Sequence, residues 1–335
     1  MKRALSAILL AALIPVSAWV GEASAQQTLK AVAVSRPTPQ FQAWVWFADA
    51  VQQRTNGKLK VDLTSLPEMG LTGFEMVRVM RSGLLDFADI LGTYVGGELP
   101  ILEAPDLPGL YPDFETAIKS YTAFLPGAKK YEDKLGGVIL GMYLWPQQVL
   151  FSRKPVQSVA DLKGLKVRVF GPAQTELITA LGGQPVSMAF AEVYTAMERG
   201  TVDAGLTGNY SGYALKWYEV SKYLVDFRHG PVAGYLVVSK KTWDRLTPET
   251  RQILVELGHE FTQRGLDIGR QSTANGFEEN RKKGMTLATS APALTQAVRE
   301  ASQRAIVPSW VRRAGPDAKA VFNQYIAPYA GFQAR

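Results

Sequence analysis

The chain has no cysteine among its 335 residues. Disulfides, thiolate-bound zinc, iron–sulfur centres and cysteine nucleophiles are excluded on that ground. Histidine is nearly as scarce: His229 and His259 are the only two. They form neither HExxH nor any other metal-ligand spacing, and His259 falls on an expected helix as a surface or packing residue. No GxSxG elbow, Walker A loop or GxGxxG motif occurs. Paired carboxylates are invisible in one dimension, but without His or Cys the sequence offers little for catalysis. It also lacks a basic cluster. Lys and Arg outnumber Asp and Glu by 37 to 30, yet the longest basic run is the "RKK" of 281–283. Scattered positive charge reads as a solvated surface that mildly favours anionic ligands, and no nucleic-acid partner is expected. No metal or other cofactor is implied.

What is present is a globular composition, 47% hydrophobic and 20% charged. Residues 1–25 carry a basic start (Lys2, Arg3), an apolar run from Ala4 to Val20 and the small-residue close Ala23-Ser24-Ala25. This is the pattern of a secretory signal peptide cut before Gln26, with a membrane anchor as the competing reading. The mature chain is therefore expected to be exported.

From there strands and helices alternate, which argues an α/β fold. Residues 29–34 form an apolar strand. Thr38 and Pro39 open a helix, Phe41, Trp44, Ala48 and Val51 recur at helical spacing, and Asn56-Gly57 stops it. The segment "KLKVDLTSL" alternates as a half-buried strand, and Thr72 to Glu75 reads as a capping box. "MRSGLLDFA" (80–88) is echoed by "MERGTVDAG" (197–205): a helix end, a glycine C-cap, then a strand carrying Asp86 or Asp203. Either these are two common junctions or the chain holds two similar lobes with a cleft where strand ends meet. Residues 247–283 read as one helix long enough to cross both lobes, weakened by Gly258, Gly265 and Gly269. A last helix is expected over 292–304.

Binding chemistry is better represented. Arg168 lies in the apolar strand "LKVRVFGP", between Val167 and Val169 and next to Phe170. Its planar fork suits a ligand carboxylate, or equally a carboxylate of the protein itself. Trp145 and Gln148 stand near another strand, Trp145 as core or as a pocket wall. Thr207, Asn209 and Tyr210 sit in a glycine-rich loop that is either a helix entry or part of a pocket.

The ordered series "SVADLKGLKVRVFGP", "GGQPVSMAFAEVYTAMERGTVDAGLTG", "KWYEVSKYL" and "VVSKKTWDRLTPETRQ" resembles the extracytoplasmic solute receptors of TRAP (tripartite ATP-independent periplasmic) transporters, the C4-dicarboxylate-binding family. The resemblance spans nearly the whole mature chain. It implies a periplasmic-binding-protein-like α/β fold: two lobes, a ligand cleft, hinge strands and a long helix spanning both. The expected division is 26–145 plus 234–273 for one lobe and 146–233 plus 274–335 for the other. It implies a non-enzymatic receptor, expected as a monomer, that binds a small organic acid and delivers it to TRAP permease membrane subunits. Arg168 matches the family's carboxylate-binding arginine. Gln148 stands where some members place a second arginine, a departure that removes a strong anion contact. Thr207 or Asn209 stands near the polar contact that follows, and Trp145 resembles an aromatic wall. Ser35, Glu68 and Tyr94 are candidates from first-lobe loops. One arginine among aromatics favours a hydroxy-, keto- or aromatic monocarboxylate over a dicarboxylate. A receptor serving a membrane sensor, or a secreted hydrolase, are the alternatives.

Overall fold

Eleven short strands carry the architecture among the residues described by the computed structural model, 26–289 and 292–335. The expected signal peptide lies outside the described residues. In chain order the strands are β1 (Gln27–Ala33), β2 (Leu59–Ser65), β3 (Phe87–Leu91), β4 (Gly137–Leu144), β5 (Gln148–Ser152), β6 (Lys166–Val169), β7 (Gln184–Ser187), β8 (Ala204–Gly208), β9 (Tyr223–Asp226), β10 (Ala233–Ser239) and β11 (Thr286–Thr289). They form two sheets, ordered β2-β1-β3-β10-β4 and β11-β9-β5-β8-β6-β7, with helices around them. Each sheet is mixed: β10 runs antiparallel between β3 and β4, and β5 runs antiparallel between β8 and β9. The chain passes between sheets twice through strand extensions, at residues 145–147 from β4 to β5 and at residues 227–232 from β9 to β10.

The sequence echo is a repeated junction, one per lobe. Gly83 and Gly200 both take left-handed φ, 66° and 73°. Asp86 donates its backbone N–H to the Lys30 carbonyl at 2.9 Å while its carboxylate accepts from the Lys30 N–H at 2.7 Å. Asp203 treats Lys166 in the same way, at 2.8 Å and 3.1 Å. Each aspartate thus clamps the neighbouring parallel strand just before its own strand begins, rather than lying within it.

The long helix runs over Pro248–Lys282, 35 residues or about 52 Å. Thr247 caps it, its hydroxyl accepting from the Thr250 N–H at 3.2 Å. Its glycines mark where it touches both lobes. A Cβ on Gly258 would fall 2.3 Å from the Leu140 carbonyl of β4, and one on Gly276 would meet Asn209 of the second lobe at 2.4 Å. Helix propensity is given up so that backbone can lie on backbone.

Two local expectations need correction. The first turn after Thr72 is not a full capping box: Thr72 donates both its N–H and its hydroxyl to Glu75, and the helix starts only at Met76. The C-terminal helix does not end at 304 but continues through Ala314, with a widened turn at Ser302–Ile306. Pro308 has no N–H to give the preceding turn, and the wide turn accommodates it without breaking the helix. The segment touches both lobes: Trp310 Nε1 donates to the Pro100 carbonyl and Ser309 Oγ to Glu176, each at 2.8 Å.

Asp106 fixes the start of β10 just beyond the second crossing. Its Oδ1 accepts from the Ala233 N–H (2.9 Å) and the Tyr121 hydroxyl (2.8 Å), and its Oδ2 accepts from the Thr93 hydroxyl (2.7 Å). Burial pushes its carboxyl up to about 7. The folded state therefore holds a proton that the unfolded chain releases near pH 4. The stability this group contributes is complete below that pH and is lost as pH rises through about 7. Asp106→Asn keeps the Oδ1 contacts and can donate to Thr93. Its melting temperature should exceed that of wild type by a margin that widens from pH 5 to pH 8 in thermal scans. A constant or shrinking margin would show that Asp106 is ionised in the fold.

Candidate functional site

Strand alternation places Val167 and Val169 on one face of β6 and Arg168 on the other, opposite Gly205 of β8. The guanidinium is 1% exposed. Its Nε donates to the Met188 carbonyl at 3.0 Å, one terminal nitrogen to the Leu206 carbonyl at 2.7 Å, and the other to the Tyr94 hydroxyl at 3.4 Å. Tyr94 belongs to the first lobe, so the last bond crosses the cleft. The guanidinium carbon stands 4.5 Å from the Phe170 ring and 5.9 Å from both Phe190 and Trp217. No carboxylate among the described residues is within ion-pair distance of it. Of five N–H donors three are engaged and two remain. Burial pulls its pKa down, opposed by Tyr94 and Glu192, though an arginine stays charged throughout.

Around this group lies a narrow chamber, lined by Val34, Leu91, Tyr94, Trp145, Gln148, Arg168, Phe170, Phe190, Thr207 and Val232. The walls contain one cation and neither carboxylate nor imidazole. Gln148, 1% exposed, donates Nε2 to the Pro146 carbonyl at 2.8 Å and leaves Oε1 buried without a partner. A second space of about 370 Å³ shares Val34, Tyr94 and Phe190 with the chamber and is bounded by first-lobe loops and by Ala189, Tyr194 and Trp217. It forms a vestibule between the lobes.

Six of the ten residues singled out in the sequence meet in the chamber: Tyr94, Trp145, Gln148, Arg168, Phe170 and Thr207. Ser35 and Glu68 line the vestibule instead. The Glu68 carboxylate is occupied by Arg36 (2.5 and 2.9 Å), the Thr64 hydroxyl and the Ser65 N–H, which hold its pKa far below the usual range. Asn209 and Tyr210 line neither space. The Asn209 side chain donates to the Thr273 carbonyl (2.9 Å), and its own carbonyl accepts from Asn280 (2.8 Å), which fastens the long helix to the second lobe. Of the two residues that spacing left open, Thr207 faces the chamber and Asn209 serves the fold. Phe190 and Trp217, which flank the guanidinium, were not singled out. The cap between Glu192 and the Ala189 N–H (2.8 Å) marks Phe190 as part of a shaped loop, but nothing marks it as an arginine's neighbour.

Comparison with known proteins gives a consistent result. The sequence profile of the bacterial extracellular solute-binding proteins, family 7, matches residues 31–311. The 2,3-diketo-L-gulonate-binding periplasmic protein YiaO of Escherichia coli K12 is 30% identical over 241 residues, 70% of this chain and 73% of the relative. The C4-dicarboxylate-binding periplasmic protein DctP of Rhodobacter capsulatus is 24% identical over 256 residues, 76% of this chain and 77% of the relative. Among solved structures, DctP7 of Bordetella pertussis, an extracytoplasmic solute receptor binding pyroglutamic acid, superposes with a TM-score of 0.85 at 25% identity, covering 89% of this chain and 99% of the other.

Proposed function

The chain belongs to family 7 of the bacterial extracellular solute-binding proteins, and on that premise we propose that it captures a small organic acid in the periplasm through Arg168 and hands it to the membrane subunits of a TRAP permease. It is a TRAP solute receptor for carboxylates and not an enzyme. Relatives named for diketogulonate, C4-dicarboxylates and pyroglutamic acid support a carboxylate as the common element.

The observation that carries the reading is the buried guanidinium with no anionic partner and two N–H groups to spare, set where the lobes meet. A buried charge held only by carbonyls, one hydroxyl and ring faces is several kcal/mol worse than one with an anion and its hydrogen bonds. A ligand carboxylate supplies both. The open form admits the acid, and contacts from the first lobe then favour closure because they exist only in the closed form. Exclusion of water strengthens the ion pair. The receptor works as a monomer, and residues 1–25 export it.

The test is to express the chain with its leader, recover it from the periplasm, denature it and identify the released small molecule by mass spectrometry. One organic acid per protein is expected. After refolding without ligand, that acid at 100 times its Kd should stabilise the protein by about 2.7 kcal/mol. If no carboxylate is released and none in a broad panel raises the melting temperature, the reading is wrong.

A further inference from the structure

We infer that the chamber selects a monocarboxylate that also carries an N–H or O–H donor, and that Gln148 is the residue that reads this donor. The inference rests on the receptor reading above and narrows it.

Charge gives the first half. Arg168 is the only cation lining the chamber. Arg36, which lines the vestibule, is held by Glu68 through two nitrogens. A second ligand carboxylate would be desolvated against Tyr94, Trp145, Phe170 and Phe190 with no opposite charge, which is strongly unfavourable.

Hydrogen bonding gives the second half. The Gln148 amide is oriented by its bond to the Pro146 carbonyl. Reversing it would set two acceptors against each other, so Oε1 is the atom left free. A buried acceptor without a partner is itself destabilising and is satisfied only by a donor. Gln148 and Arg168 flank the same strand: Gln148 pairs with Gly208 of β8, the Arg168 guanidinium reaches the Leu206 carbonyl of β8, and both residues line the chamber.

Sites built to receive a donor discriminate sharply against analogues without one. The test is calorimetric titration of the ligand-free full chain with isosteric pairs: pyroglutamate and 3-oxocyclopentanecarboxylate, lactate and propionate, with succinate as the dicarboxylate. In the tightest-binding pair the donor-bearing acid should bind at least tenfold more tightly, and succinate at least tenfold more weakly than that acid. Gln148→Met should bring the ratio within the pair close to one while still binding the donor-free acid, which shows that the variant is folded. If acids bind with no preference inside the pair, if succinate binds most tightly, or if Gln148→Met retains the ratio, the inference is overturned and the receptor reading stands. If no carboxylate binds wild type at all, both are overturned.

Discussion

Arg168→Met should bind the best acid at least 100-fold more weakly than wild type, a loss of about 2.7 kcal/mol or more. The guanidinium is desolvated, so each bond it makes to a carboxylate is charge-assisted in a low-dielectric site, and removal of one partner of such a pair commonly costs 2–5 kcal/mol. Methionine fills similar volume against Phe170 and Phe190 but donates nothing. Arg168→Lys keeps a charge but not the fork, and should fall between the two. The unliganded variants should melt close to wild type. The methionine loses three hydrogen bonds but also removes an unpaired buried charge. The rise in melting temperature on adding the acid should vanish in the methionine variant. An Arg168→Met protein that still binds within tenfold of wild type would show that the carboxylate sits elsewhere.

Arg168 was legible because a lone cation in an apolar strand is conspicuous. Its surroundings were not. It bonds to carbonyls 20 and 38 residues away and to a tyrosine 74 residues away in the other lobe. Sequence shows neither which carbonyls converge nor that a protein carboxylate is missing, so the ligand and structural readings tied. The long helix was legible to within one residue at each end because its caps are local: Thr247 and Pro248 start it, and the pattern simply stops at Lys283. The place of Asn209 and Tyr210 outside the chamber was not legible for a related reason. A polar loop after a strand looks the same whether it faces a cleft or a helix, and the deciding contacts come from Thr273 and Asn280, over 60 residues away. The continuation of the last helix past Arg304 was not legible because a widened helical turn leaves no mark in the sequence.

The glycines of the long helix set local preference against packing, and Gly265→Ala tests which wins. In an isolated helix the change would stabilise by up to about 1 kcal/mol. In the folded protein the new Cβ would lie 2.3 Å from the Tyr143 Cβ and 3.1 Å from its Cα. Tyr143 cannot give way easily. It is fully buried in β4, its backbone lies between the helix and β10, and its hydroxyl donates to Asp89 at 2.6 Å. The helix must move instead, and overpacking of this kind typically costs 1–3 kcal/mol or more. Gly265→Ala should therefore melt lower than wild type by roughly 2–12 °C, at about 2–4 °C per kcal/mol. Gly97→Ala, where a Cβ meets nothing within 4 Å, should stay within about 0.5 kcal/mol of wild type. Binding should weaken along with stability. β4 runs directly into Trp145 and Gln148, so a helix displaced from Tyr143 disturbs the chamber wall at its origin. A Gly265→Ala protein as stable as wild type would mean that the helix can step away from β4, and that its glycines are there for something other than close contact.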